Sequence, residues 1–325
     1  MSGASRREVL VGAVGIAAVA CDERGAGWVG EDTPVIPAIT PNDEHYVTSC
    51  CGTPTVDAAT WTLQLLDRGV PLVSLDLAAL DALPTGDKEH TLECIGAGPR
   101  AQRISNAVWT GLPLRDVLAG LGVVVDPDVV ALKWTCADGY SSALPVADLD
   151  LPVWLVWRMN GAPIPPEHGF PVRVIVPGRY GMKNPKWVVS LELVDAAYAG
   201  FWESRGWSEE AVYRPNTFIR HPAEDEALAA GVVRVAGTAY AGSDPVVAVD
   251  VRVDGGPWWP ATLEYAPGVP DVWCLWSFTT FLLPGQRTVE ARCTTASGQQ
   301  SVPSEEVVRD LTGYNGSMSV TWRVG

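Results

Sequence analysis

The chain has 325 residues, 47% of them apolar and 19% charged, a composition that describes a core-forming protein and excludes a disordered one. That length holds about two domains of ordinary size. A formal net charge of −15 and a pI near 4.6 exclude nucleic acid as a partner, because every phosphate contact would oppose that field. In so acidic a chain an anion site has to be built locally, which makes any basic cluster informative.

In chain order, residues 1–24 read as an address segment. Ser5-Arg6-Arg7-Glu8-Val9-Leu10 is a twin-arginine pattern, and Val11 to Ala20 is an apolar run of small residues. That run is shorter than the roughly 20 residues that span a bilayer as a helix. The expectation is export to the periplasm or another extracytoplasmic space, with Cys21 a candidate for lipid attachment. No later segment reads as an integral membrane span. After a Gly/Pro-rich lead, structured sequence is expected from Asn42. Trp61 to Leu66 and Leu72 to Leu75 read as strands, Asp76 to Leu83 as a helical turn with one apolar face, and Leu112 to Leu121 as a helix with Pro113 early and Gly122 at its stop. Val129 to Trp134 and Pro171 to Val176 suit buried strands. Short helices among strands give an α+β domain over residues 42–220. An acidic, alanine-rich linker, His221 to Ala230, follows. Residues 231–325 are then all strand, with runs at Gly231 to Ala239, Val246 to Val253, Val272 to Phe278 and Thr288 to Cys293, and turns at Asp254-Gly255-Gly256 and Pro284-Gly285. This pattern predicts an immunoglobulin-like sandwich. Fourteen tryptophans are read as anchors in cores and at the domain interface.

The cysteines form no C-x-x-C pair and the four histidines are scattered singly, so zinc spacing and an attached c-type haem are absent. Cys274 and Cys293 read either as a disulfide between neighbouring strands or as two buried thiols. There is no G-x-S-x-G and no P-loop. Two stretches carry chemistry. His168 to Trp187 holds Arg173, Arg179, Lys183 and Lys186 with no acidic residue, and two of the chain's four lysines sit there. Arginine forks and lysine point charges among Pro177-Gly178 and Gly181 suit a phosphate. In Thr91 to Gly111, Cys94 ends a short apolar strand and enters a glycine-rich loop, with Arg100 and Arg103 nearby to favour its thiolate. A thiolate suits a transition metal.

Together these segments resemble the sulfite-oxidase family of molybdenum enzymes over roughly residues 42 to 325. The matches run in order: T-L-E-C (Thr91–Cys94), W-T-G (Trp109–Gly111), L-P-L-R-D-V-L (Leu112–Leu118), A-D-G-Y (Ala137–Tyr140), then Met159–Arg173 with H-G-F-P-V-R. They continue through V-P-G-x-Y-G-M-K-x-x-K-W (Val176–Trp187), F-W-E-S-R-G-W (Phe201–Trp207) and V-D-V-R-V-D-G-G-x-W (Val249–Trp258). The resemblance implies a molybdenum–molybdopterin cofactor with Cys94 as its protein ligand. It implies that His168, Arg173, Lys183, Asn184 and Lys186 hold the pterin and its phosphate, with Asp138 near the pterin and Tyr46, Ser49 and Cys50 beside it. Tyr140, Trp207 and Cys50 would line the substrate pocket, Tyr140 and Trp207 as catalytic candidates with Cys94. It further implies a homodimer formed through the sandwich and an external electron-transfer protein, a cytochrome or quinone-linked.

The departures bear on substrate. Where sulfite oxidases carry an arginine, an asparagine and a histidine on the entering strand, this chain has Thr48, Ser49 and Cys50. Trp207 stands for their tyrosine, Ala97 for an asparagine, and Asp244-Pro245 for a second arginine. Without those cations a sulfite dianion is poorly held. The expected activity is therefore oxygen-atom transfer on a small sulfur- or nitrogen-containing substrate. An exported, non-catalytic binding protein on the same fold is the alternative, and a structural surface protein adhering through its sandwich is a third.

Overall fold

The computed structural model describes residues 36–98, 102–303 and 311–325. The address segment 1–24 with Cys21, and Arg100, lie outside the described residues.

Apolar alternation organises the first half into two sheets. One runs in the order Val70–Asp76, Thr62–Asp67, Val188–Val194, Ala131–Cys136, Ser141–Pro145. Its centre is mixed: Thr62–Asp67 pairs parallel with Val188–Val194, while Val188–Val194 pairs antiparallel with Ala131–Cys136, setting Leu191 opposite Trp134. The second sheet runs Gly86–Glu93, Ile104–Pro113, Trp154–Met159, Ala162–Pro163, with Arg173–Ile175 added beside Trp154–Met159. Among the described residues two short α-helices interrupt the strands. Leu77–Asp81 starts where its cap predicts: the Asp76 carboxylate accepts from the Ala79 N–H at 2.7 Å, a contact worth about 1 kcal/mol. The helix expected over 112–121 is Leu114–Gly120, burying Leu114, Val117 and Leu118 at helical spacing. Residues 112 and 113 belong instead to the preceding strand, where Leu112 pairs with Leu155 and Pro113 with Trp154. Ladder hydrogen bonds there outweigh local helix signals. At Gly111 the strands approach so closely that a Cβ would sit 2.1 Å from the Leu155 carbonyl oxygen, which is why W-T-G ends in glycine.

The second half is a two-sheet sandwich. One sheet runs Asn216–His221, Gly231–Tyr240, Cys274–Leu282, Thr262–Tyr265, and the other Trp259–Pro260, Val246–Val253, Gly285–Thr295, Met318–Val324. Asn216–His221 lies upstream of the linker yet pairs with Gly231–Tyr240, Asn216 opposite Tyr240, so the sandwich begins at Asn216. Cys274 and Cys293 lie in different sheets and are free, buried thiols. Trp273, Trp276 and Trp322 are fully buried here, as Trp109, Trp134 and Trp187 are in the first half.

The halves meet along the strand that leads to Cys94. Thr91 donates its N–H to the Asp271 carbonyl at 2.9 Å, and its carbonyl accepts from the Tyr240 hydroxyl at 3.0 Å. Two residues on, the Asn216 amide donates to both Glu93 carboxyl oxygens at 3.0 and 3.1 Å. Buried groups paired this way hold the strand end in one position.

Candidate functional site

Cys94 leaves the strand Gly86–Glu93 in a turn closed by two backbone bonds, from its own N–H to the Arg103 carbonyl at 3.0 Å and from the Ala97 N–H to its carbonyl at 2.8 Å. The turn aims a free, half-buried thiol into a cleft of about 990 Å³, measured out to open solvent. Every residue lining this cleft lies between His45 and Trp207. At Gly96 a Cβ would meet the Trp207 ring at 3.5 Å and the Cys94 sulfur at 3.9 Å, so indole and thiol flank the glycine.

Of the residues singled out in the sequence, Tyr46, Ser49, Cys50, Cys94, Asp138, Tyr140, His168, Arg173, Asn184, Lys186 and Trp207 all line the cleft. Lys183 does not. Its ammonium is buried, donating to Glu203 at 2.5 Å and to the Ala143 carbonyl at 2.9 Å. A buried ammonium needs a counter-charge, and Glu203, which is likewise not among the lining residues, supplies it. Asn184 lines the cleft, but its amide is occupied by the backbone, accepting from the Val176 N–H and donating to the Arg179 and Tyr180 carbonyls. It shapes the loop. The Tyr140 hydroxyl is likewise committed to the Met182 carbonyl at 2.5 Å, and Asp138 accepts from the Tyr140 N–H at 3.0 Å.

The cations are held from behind. Arg173 donates to the His168 and Asn184 carbonyls at 2.9 and 3.1 Å and lies 4.8 Å from the Trp109 ring. Burial lowers it to about 10, so it stays charged at neutral pH. Lys186 donates to the Glu167 carbonyl at 2.8 Å and stands 4.2 Å over the Trp187 ring. Burial, then the neighbouring Arg173, push it down to about 7. Gly169, at φ +116, lets this loop close: its Cβ position is 3.1 Å from both Arg173 and Lys186 side chains. His168 donates from Nε2 to the Asn42 carbonyl at 2.8 Å and is kept neutral by burial. Arg103 completes the basic lining, against a single acid, Asp138.

His45 went unremarked among the scattered histidines. Its Nδ1 faces the Tyr46 carbonyl at 3.2 Å, which requires a proton there, and burial followed by His168 and Arg173 lowers it to about 3. Its Nε2, like Arg173 Nε, is buried and has no partner in the protein. Two orphaned polar atoms on residues of one cation-rich cleft leave hydrogen bonds to be made by a bound polar group. A half-buried thiol, planar and point cations, and unsatisfied nitrogens together fit a phosphorylated, thiolate-ligated metal cofactor. Trp202, within F-W-E-S-R-G-W, also lines the cleft beside Trp207, their ring centroids 6.1 Å apart. Asp244, expected near the family's second arginine, bonds Ser297 on the sandwich and is not part of the lining.

Residues 51–202 match the model of the oxidoreductase molybdopterin binding domain. Over that segment the chain is similar to the molybdopterin-binding domain of sulfite-oxidase-like oxidoreductases. The domain implies a molybdenum cofactor, and the cleft just described lies in and around the matched segment. Human mitochondrial sulfite oxidase is 27% identical over 330 residues, covering 87% of this chain and 60% of that protein. A barley (Hordeum vulgare) nitrate reductase [NADH] is 28% identical over 345 residues, covering 85% of this chain and 37% of that one. The chain thus spans about 60% of the length of the curated sulfite oxidase it matches. Among solved structures, the sulfane dehydrogenase SoxCD from Paracoccus pantotrophus superposes with a TM-score of 0.78 over 92% of this chain and 89% of that one, at 21% identity, a likeness of fold. Among the described residues no helix is long and apolar enough to cross a membrane.

Proposed function

We propose that the chain is a molybdenum-cofactor oxidoreductase that carries out oxygen-atom transfer on a small sulfur- or nitrogen-containing substrate and exchanges electrons with an external redox protein. The observation that carries this is the free Cys94 thiol opening into a cleft also lined by Arg103, Arg173 and Lys186, with unsatisfied buried nitrogens on His45 and Arg173 of the same lining. When bound, the molybdenum cofactor supplies the two-electron oxygen-atom chemistry. The chain's part is to hold it: Cys94 as thiolate ligand, with Arg173, Lys186 and Arg103 neutralising phosphate and His45 and His168 bonding the pterin as neutral imidazoles. Asp138 and Ser49 add polar contacts, and Trp207 with Trp202 walls the thiol from water. Lys183 is left out of the binding set.

The substrate is a weakly charged oxide or sulfur compound. Thr48, Ser49 and Cys50 bring no cation to the cleft, and a sulfite dianion needs cations beyond those that hold the phosphate. The twin-arginine pattern supports export of the folded, loaded protein, and the sandwich supports a homodimer. The same lack of cations favours a second reading, an exported binding protein that has kept the fold without turnover.

The test is molybdenum per chain in wild type and Cys94→Ser, both produced in a host able to make the cofactor. Near-stoichiometric metal in wild type, with an absorption band that Cys94→Ser loses or shifts, is the expected result. A well-folded wild type devoid of metal and pterin overturns the enzyme and leaves the binding protein.

A further inference from the structure

Cys50 and Cys51 are joined by a disulfide between sequence neighbours, their Cα atoms 3.8 Å apart. A disulfide stabilises a fold mainly by closing a loop in the unfolded chain, and the gain grows with loop length. This one closes no loop, so stapling the fold does not account for it. Its position suggests another role. Cys50 is half-buried, lines the cleft and packs against the core of the first sheet, whereas Cys51 is exposed. A carboxylate oxygen of Asp138 lies within 4.8 Å of both sulfurs. The next residue, Gly52, sits at φ +90 with nothing within 4 Å of its Cβ position, and no helix or strand includes residues 47–53. The backbone there can change conformation without disturbing a packed element. By contrast Cys136, Cys274 and Cys293 are buried single thiols.

We propose that the Cys50–Cys51 pair is a thiol-exchange site at the mouth of the cleft, accepting a thiol at Cys51. The incoming thiol's sulfur bonds to Cys51 Sγ as the Cys50–Cys51 bond breaks. The proton given up by that thiol goes to the departing Cys50 sulfur. A second thiol attacks the mixed disulfide on Cys51, releasing an external disulfide and leaving both cysteines reduced. Two external thiols are oxidised and one protein disulfide is reduced, so electrons and protons balance. Exposed disulfides are the ones that exchange, because the attacking sulfur must reach the bond end-on. The reduced form sets a free Cys50 thiol on the cleft wall in a segment that contains no cation, so the state of the pair changes the chemistry presented at the entrance. The inference concerns protein sulfur alone and holds whatever metal the cleft carries.

The experiment treats the native, metal-loaded protein anaerobically with millimolar glutathione in one arm and a reduced thioredoxin-type protein dithiol in the other. Acid quenching, alkylation and mass spectrometry of the peptide bearing residues 50 and 51 follow, with molybdenum content measured on the same samples. Conversion of the pair to two alkylated thiols, on the order of tenfold faster than labelling of Cys136, Cys274 or Cys293, is expected. Oxidised glutathione should close the pair again, and the same reagent should leave Cys50→Ser with a glutathione adduct on Cys51, one glutathione thiol being released and no neighbouring thiol being present to displace the other. Reduction by glutathione identifies a small thiol as the source; reduction by the protein dithiol alone identifies a protein thiol. A pair that stays closed in both arms, yet opens on denaturation, overturns the proposal. So does a pair found as two thiols that oxidised glutathione cannot close. Because molybdenum is read separately, loss of metal and failure of exchange are distinguishable.

Discussion

Replacing Lys183 with methionine should destabilise the fold rather than empty the cleft. In sequence, Lys183 belongs to the basic run that suits a phosphate; in the structure its ammonium is buried against Glu203. Removing the lysine strands a carboxylate that is 0% exposed at the side chain, whose Oε1 keeps only the Ser142 hydroxyl at 2.6 Å and whose Oε2 has no partner. Breaking such a pair from one side costs about 3–5 kcal/mol. Each kcal/mol lowers Tm by about 2–4 °C for chains of 150–250 residues, so the fall at this length should be roughly 6–10 °C. Removing both charges, as in Lys183→Met with Glu203→Leu, should recover most of that loss, because the uncompensated ion is gone. The assay is thermal melting of protein made without cofactor, so that ligand stabilisation does not enter, alongside molybdenum content of protein made with it. A Lys183→Met variant that melts like wild type but loses molybdenum and pterin refutes the argument and returns Lys183 to the phosphate.

Three further outcomes follow from the same geometry. Glu93 is raised to about 8 by burial, so the folded protein retains a proton that the unfolded chain loses above about 4.5, and stability must fall with pH across that window. Glu93→Gln should flatten the decline between pH 5 and 8, read by melting at each pH; an unchanged slope would show that Glu93 is ionised in the fold. Lys186, lowered to about 7, loses its charge as pH rises through that value, so sulfate binding to cofactor-free protein should weaken there by calorimetry, and Lys186→Met should remove that pH dependence. Gly111→Ala forces a methyl onto the Leu155 carbonyl and should cost at least about 3 kcal/mol, the top of the overpacking range. A stable, soluble Gly111→Ala protein would mean that the two strands can separate there.

Much of the second half was legible because a strand with one buried face must alternate. Val249 and Val251 are buried, with Asp250 and Arg252 facing out, and the strand Val246–Val253 has the predicted bounds. The strand Met318–Val324 alternates without a break and was open to the same reading. The start of the sandwich was not. Asn216–His221 joins it only through long-range pairing with Gly231–Tyr240, and nothing local marks that. Residues 112 and 113 illustrate the same limit, since their partners are some forty positions away.

At the cleft, residue types and their order were enough to nominate Cys94, His168, Arg173 and Lys186, because a thiol beside glycines and a run of cations in an acidic chain are anomalies of composition. Which cation faces the cleft is a different kind of fact. Lys183 and Lys186 are three residues apart in one loop, and only burial of Glu203 beneath one of them separates an ion pair from a ligand-binding lysine. His45 is invisible as a lone histidine and becomes a candidate only once its Nε2 is found buried and unsatisfied. Cys50 and Cys51 are adjacent in any reading, but the place of Cys50 on the cleft lining and the approach of both sulfurs to Asp138 depend on two distant segments folding together. The sequence by itself determined the chemistry available, since composition and local pattern set charge, sulfur and strand alternation. The tertiary structure alone decided which of those groups are satisfied by the protein and which are left facing the cleft, because satisfaction of a buried polar group depends on partners far away in the chain.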